Sequence, residues 1–253
     1  MVVFCSDLDN TLVYSYRHDI GNEKICVELY QGREVSFVTE KTLELLKRVK
    51  ESILFVPTTT RTREQYERID LGVGVPEYAL VCNGGVLLEK GEENEAWYQE
   101  SMRMIEESRL ELEKAEELME KDEARNFEVR NIRGLFLFTK SRIPEQSVTY
   151  LEQALDLSKV EVFRNGVKVY VVPKKLNKGE ALRRLRSRLG AERIIAAGDS
   201  TFDIPMLEAA DLGFAPEDLV PEIEEGKKII SVEKNYIFSE EVLYYVEKAF
   251  LLK

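Results

Sequence analysis

Along the first third of the chain, apolar residues fall into short unbroken runs that stop abruptly in polar groups. Residues 2–5 run into Ser6-Asp7, residues 53–56 into Pro57-Thr58-Thr59-Thr60-Arg61, and residues 78–82 into Asn83-Gly84-Gly85. Runs this short, apolar at every position, are expected of strands buried on both faces of a parallel sheet. Between them the period changes: residues 40–51 carry Leu43, Leu46 and Val49 at helical spacing, and residues 63–70 predict a second helix. Residues 25–30 and 34–38 flank Gln31-Gly32 and predict a hairpin. Strands alternating with helices predict an α/β fold, with a parallel sheet covered by helices.

The pattern then shifts. Residues 89–125 are densely acidic, and residues 100–121 predict one long helix with Ile105, Leu112, Ala115 and Met119 on a single stripe. A strand at 135–138, a helix at 144–157 and strands at 160–163 and 167–172 follow. The last two flank Asn165-Gly166, a hairpin signal. Hairpins mixed with helices predict an α+β insert. After Pro173 the alternation returns, with helices at 178–189, 203–210 and 239–252 and strands at 193–197, 212–214 and 229–232. The expected organisation is a core domain of residues 1–85 and 173–253, interrupted by a smaller α+β domain at 86–172.

Composition narrows the function classes. Of 253 residues, 44% are hydrophobic and 33% charged, enough apolar content to bury a core. The formal net charge of -11 argues against a nucleic-acid partner, which calls for a basic surface. An anionic substrate would need a local positive centre, and a metal ion supplies one. Cys5, Cys26 and Cys82 are isolated, without metal-ligand spacing, and an odd count points to a reducing compartment. No signal peptide and no run of membrane-spanning length is evident, so the expected location is cytoplasmic. Oligomeric state leaves no mark on the sequence.

Three of the apolar runs end in groups suited to phosphate chemistry: Asp7, Thr58-Thr59-Thr60 and Asp199. In a parallel sheet, ligands bind beyond the carboxyl ends of the strands. If these strands are neighbours, two carboxylates and several hydroxyls converge. Asp7-Leu8-Asp9-Asn10-Thr11-Leu12 puts two acids two residues apart at a strand end, where like charges call for a cation or a shared proton. Mg2+ takes such hard oxygen ligands. A carboxylate can also attack phosphorus, and a second can protonate the leaving alcohol and then activate water. The plainer reading is two acids capping a turn.

The full set resembles the haloacid dehalogenase-like (HAD) superfamily. DLDNTL is similar to its first motif, DxDxT. The resemblance implies that Asp7 is the nucleophile and Asp9 the general acid/base, with the Asp9 backbone carbonyl on the metal. An acid at position 9 favours phosphate-ester transfer, by hydrolysis or as a mutase. VPTTTR resembles the second motif, implying that Thr59 and Thr60 bind phosphate; many relatives have Gly in place of Thr60. Arg61 keeps the Arg that follows, with a surface ion pair as its plain role. Residues 176–182 resemble the NKGxAL pattern, implying that Lys178 neutralises the nucleophile and holds phosphate; a Lys opening a helix is otherwise ordinary. Gly198-Asp199-Ser200-Thr201-Phe202-Asp203 matches GDxxxD, implying Asp199 as a direct Mg2+ ligand and Asp203 as an outer ligand or supporting acceptor, although Asp203 also suits a helix cap. Relatives often carry Asn where this chain has Phe202. The insert sits at the second cap position, as in the Cof-type and sucrose-phosphatase-like branch.

The expectation is therefore a Mg2+-dependent phosphohydrolase of small phosphorylated metabolites, sugar phosphates favoured by the resemblance. A phosphomutase with the same residues and a silent binding protein are the alternatives. His18, the only histidine, reads as a solvated loop residue, the alternative being that Arg17 and His18 reach the substrate. Arg130, Arg133, Arg164 and Lys168 are candidates for gripping the leaving group, with Arg130 and Arg133 equally readable as solvated charges.

Overall fold

A computed structural model describes residues 1–251. The chain forms two compact units, one of Met1–Asn94 together with Lys178 onward, the other of Glu95–Asn177. The first unit begins with β1 (Val2–Ser6), β2 (Tyr14–Ser15), β3 (Lys24–Tyr30), β4 (Arg33–Thr39) and α1 (Glu40–Ser52). It continues through β5 (Leu54–Pro57), α2 (Arg63–Tyr66), β6 (Tyr78–Val81), β7 (Val86–Glu89) and β8 (Glu92–Glu93). The second unit holds α3 (Glu95–Met104), α4 (Arg109–Lys121), β9 (Arg130–Ile132), β10 (Phe136–Lys140), α5 (Pro144–Ala154), β11 (Val160–Asn165) and β12 (Lys168–Pro173). The first unit then resumes with α6 (Lys178–Leu189), β13 (Arg193–Ala197), α7 (Ile204–Ala209), β14 (Leu212–Pro216), β15 (Ile229–Val232) and α8 (Phe238–Leu251). The final helix was expected to reach residue 252, which lies outside the described residues.

The α/β expectation holds: the first unit is built on a five-stranded sheet in the order β15-β14-β13-β1-β5, every neighbouring pair parallel. Successive side chains of a strand face opposite ways, so each strand must satisfy two layers. Phe4, Phe55, Ile195, Ala197 and Phe214 pack with Leu43, Leu46 and Val49 of α1 and with Val242, Leu243 and Val246 of α8. Gly213, between two residues of β14 that join this layer, faces Leu207 of α7 instead. Helices therefore cover both faces, and the strands read as continuous apolar runs. Thr39 starts α1 by accepting from the Thr42 amide.

Three expected elements differ. Residues 78–82 were read as a further parallel strand, but β6 pairs antiparallel with β7 and meets β5's end only at a single bridge, Thr58 to Leu80. β7 and β8 continue that ladder, so the first unit runs on to Asn94, past the expected boundary at residue 86. The helix expected over 63–70 stops at Tyr66, because Ile69 bridges to Glu28 and the Asp70 amide donates to Val27 O. The long helix of 100–121 is two helices: at Ile105, buried at φ -99°, ψ 5°, the chain turns before α4 begins.

In the second unit the antiparallel sheet β11-β12-β10-β9 packs one face on α4 and α5. Leu112, Ala115 and Met119 meet Leu137, Val169 and Val171 there, while the expected β11–β12 hairpin turns at Gly166-Val167, one residue later than expected, because Asn165 still pairs with Lys168. Among the described residues, no helix is long and apolar enough to cross a membrane.

Candidate active site

β1 lies between β13 and β5, so the ends that carry Asp7, Asp199 and the threonine run are adjacent. The ladders carry on past the strands: the Asp7 amide donates to Ala197 O at 2.9 Å and the Thr58 amide to Ser6 O at 2.8 Å. Beyond Asp7 the chain makes a tight turn, the Leu12 and Val13 amides both reaching Leu8 O. Asn10 takes φ +61° in this turn, a conformation Asn tolerates better than most residues. The turn brings Thr11 back, and its hydroxyl donates to Asp199 Oδ1 at 2.8 Å.

Lys178, the first residue of α6, is 1% exposed. Its ammonium donates to Asp7 Oδ1 at 2.7 Å and to Asp203 Oδ1 at 2.6 Å. Asp203's other oxygen accepts from the Asp199 and Ser200 amides and from the Ser200 hydroxyl, closing a capping box that starts the helical turn leading into α7. Glycine allows this crowding. A Cβ on Gly179 would lie 2.1 Å from Pro205 O, and one on Gly198 would lie 2.2 Å from the Asp203 Cβ. Gly179→Ala must push α6 from α7 and Lys178 from its carboxylates. We expect it to cost about 1–3 kcal/mol in denaturant unfolding, with activity falling alongside.

Burial sets the charge states. Desolvation pushes the Asp7 carboxyl well above its ordinary range; the Lys178 ammonium pulls it back only in part, while Asp203, Asp199 and Asp9 push it further up. Asp199 is raised to about 7 by desolvation and the Asp203 charge, against the opposing Thr11 hydrogen bond. For Lys178, burial alone would lower the pKa, but the Asp203 and Asp7 carboxylates more than offset it and hold the ammonium charged.

Carboxylate oxygens of Asp7, Asp199 and Asp203 all lie within 4.8 Å of one another. Three carboxylates face one ammonium, an imbalance that a divalent cation would offset, and the donors are the hard oxygens that Mg2+ takes. The site thus fits such an ion. The sign of its pH dependence follows from the raised carboxyls. Between pH 4 and 7 the folded state keeps protons that the unfolded chain has released, so metal-free stability falls as pH rises. A cation competes with those protons. The gain in Tm from Mg2+ over EDTA should therefore grow from pH 5 to pH 8; a gain that is flat or shrinks would contradict it.

Asp9 stands apart from the three clustered carboxylates. Its half-exposed side chain is held by Arg61, with Nε donating to Oδ2 at 2.8 Å and Nη2 to Oδ1 at 2.7 Å. Arg61, read from sequence as a surface ion pair, is largely buried and also bonds Glu28, which sequence reading missed. Only the β-rich pattern around Glu28 was legible; an acid within a hairpin strand carries no chemical motif. Thr59 is fully buried, its hydroxyl accepting from the Arg61 amide at 3.1 Å, and Thr60 is half-buried beside it. His18 is exposed next to the Ser15 hydroxyl. In the second unit Arg130 pairs with Glu128 and Arg164 with Glu145, while Arg133 lies over the Tyr98 ring and Lys168 over Phe138.

A family model described as haloacid dehalogenase-like hydrolase matches residues 91–236, more than half the chain, a span that includes Lys178, Asp199 and Asp203. A phosphoglycolate phosphatase of Sulfurisphaera tokodaii is 22% identical over 198 residues, covering 76% of this chain and 78% of that protein. A second phosphoglycolate phosphatase, from Methanopyrus kandleri, is 28% identical over 137 residues, 53% of this chain and 56% of that one. Among solved structures, the sucrose-phosphatase of Synechocystis sp. PCC6803 in complex with sucrose and phosphate superposes at a TM-score of 0.64, with 18% identity, over 99% of this chain and 98% of that chain.

Proposed function

The chain belongs to the haloacid dehalogenase-like hydrolase family, and from that premise we propose that this phosphatase hydrolyses a small phosphorylated metabolite through an aspartyl phosphate on Asp7. The observation that carries the reading is the buried Lys178 ammonium bridging Asp7 and Asp203, with Asp199 in the same carboxylate cluster. Such a cluster, gathered from two adjacent strand ends, the start of α6 and the turn before α7, is costly to bury, and phosphoryl transfer gives it a use.

In the first half-reaction a carboxylate oxygen of Asp7 attacks phosphorus and the bond to the leaving oxygen breaks. Asp9 gives its proton to that oxygen. Lys178 holds Asp7 in place and offsets negative charge on the phosphoryl oxygens, as a compact point charge suited to phosphate. Thr59 and Thr60, at the end of β5, are proposed to hydrogen-bond the same oxygens. In the second half-reaction Asp9 takes a proton from water as its oxygen bonds phosphorus, and the Asp7–phosphorus bond breaks. Asp7 and Asp199, with the Asp9 backbone carbonyl, would hold a Mg2+ ion, which when bound draws negative charge from the transferring group. Asp203 orients Lys178 and the Asp199 turn. The unit Glu95–Asn177 is proposed as the cap domain, the part that discriminates among leaving groups.

The names of the relatives suggest which leaving groups to try. Phosphate release should be measured with phosphoglycolate, a sucrose phosphate, other sugar phosphates and an aryl phosphate, each in Mg2+ and in EDTA. Release in Mg2+ that stops in EDTA is expected for at least one ester. Transfer to a second hydroxyl without phosphate release would make the protein a mutase, and binding without turnover would make it a silent relative; either outcome overturns the proposal.

A further inference from the structure

Arg61 makes a hydrogen-bond set that a surface ion pair does not need. A guanidinium has five N–H donors. Here Nε and Nη2 donate to the two oxygens of Asp9 at 2.8 and 2.7 Å. Nη1 and Nη2 donate to the two oxygens of Glu28 at 2.9 and 3.0 Å, and Nη1 donates again to Gln65 O at 3.1 Å. All five donors are used, so neither the plane of Arg61 nor its reach is free.

Glu28 is the anchor of this arrangement. Its side chain is 3% exposed, whereas that of Asp9 is 47% exposed. Besides Arg61, the Ser36 hydroxyl donates to Glu28 Oε2 at 2.6 Å and Arg68 Nε to Oε1 at 3.0 Å, so each oxygen accepts two bonds. The fold takes trouble to deliver it. The β3–β4 ladder slips at Glu28, a bulge of the kind that re-aims a side chain, and Ile69 bridges to it from the segment after α2. Two segments thus converge on a carboxylate that touches neither the metal-type cluster nor Lys178.

A buried ion network of this kind is weak evidence for stability, since apolar packing does as well at lower desolvation cost. Its geometry is better explained by its exposed end. Each Asp9 oxygen takes one bond from Arg61, so further lone pairs remain on the open side of the carboxyl. We infer that Glu28 and Arg61 are positioning residues for Asp9, a rigid bracket that fixes where its carboxyl meets the leaving oxygen. The inference rests on Asp9 serving as the acid for that oxygen, as proposed above. Lys in place of Arg61 keeps the charge but cannot span two carboxylates in one plane. Gln in place of Glu28 keeps the shape but turns one acceptor into a donor facing a donor.

The test uses the ratio of two rate constants, which does not depend on the fraction of a variant that is folded. An alkyl phosphate needs a proton on its leaving oxygen far more than 4-nitrophenyl phosphate does. Wild type, Glu28→Gln, Arg61→Lys, Asp9→Asn and the double variant Asp9→Asn/Arg61→Lys are compared in Mg2+. For each, kcat/KM is measured with phosphoglycolate or whichever alkyl ester wild type turns over best, and with 4-nitrophenyl phosphate. Asp9→Asn should lower the alkyl-to-aryl ratio about a hundredfold or more. Glu28→Gln and Arg61→Lys should each lower it about tenfold or more, the cost of a misplaced group, and the double variant should fall no further than Asp9→Asn. If Asp9→Asn shifts the ratio but Glu28→Gln and Arg61→Lys do not, the bracket is structural and the inference is wrong while the proposed mechanism stands. If Asp9→Asn leaves the ratio unchanged, or wild type turns over neither ester, the mechanism fails and the inference with it.

Discussion

Asp7→Asn is expected to lower phosphate release by at least about 10^4-fold while leaving the protein folded. The amide cannot form the aspartyl phosphate that divides the reaction into two steps. Stability should not suffer, because the Asp7 carboxylate is a burden in the resting site: desolvation and three neighbouring acids disfavour its charge. Removing that charge leaves Lys178 paired with Asp203 at 2.6 Å. The Tm should therefore stay level or rise while the rate collapses. Initial rates in Mg2+ beside thermal unfolding of the same preparation check this. A variant that has lost both fold and activity would show that Asp7 is needed for packing, and one that still turns over would remove it as the nucleophile.

Lys178→Met is expected to damage stability and rate together. Methionine matches much of the lysine stem in length but brings no charge. It would leave Asp7 and Asp203, both nearly inaccessible, with no cation between them, Asp203 keeping only its bonds from Asp199 and Ser200. Breaking a buried pair in this way costs about 3–5 kcal/mol. Some of that loss should return as pH falls, since protonated carboxyls no longer repel. At a temperature where the variant is folded, kcat/KM should still be down about a thousandfold, the scale seen when a transition-state charge loses its partner. Unfolding curves at neutral and acid pH, with kinetics in Mg2+, separate the two effects. An unchanged Tm with normal kinetics would mean that the buried bridge serves neither role.

The two variants act at a site whose parts were legible to different degrees. The strand ends could be read because buried parallel strands must be apolar throughout, so each apolar run stops within a residue of where its strand ends. That placed Asp7, Thr59 and Asp199, and the sheet order puts their strands side by side. Lys178 could be read only as the first residue of a helix after an insert. What holds it, a helix crossing close enough to exclude a Cβ at Gly179, is a three-dimensional fact with no periodic trace. Glu28 was illegible for a related reason. A single acid in a hairpin strand looks solvent-facing, and only the bulge and the return of the chain at Ile69 turn it inward. The break at Ile105 was hidden because the apolar stripe continues across it, so periodicity alone could not separate α3 from α4. β7 and β8 were missed because a short run after Gly84-Gly85 reads equally well as the start of an insert.

A phosphoryl group that passes through Asp7 can be caught there, directly on the protein. Wild-type enzyme turning over its best ester in Mg2+ is quenched in acid at short times, digested, and mapped by mass spectrometry with fragmentation across residues 1–17. One added phosphoryl group is expected at Asp7, present during turnover and absent from Asp7→Asn treated in the same way. A phosphoryl group on Asp9 or on any other residue, or turnover with no labelled peptide at any quench time, would contradict that expectation.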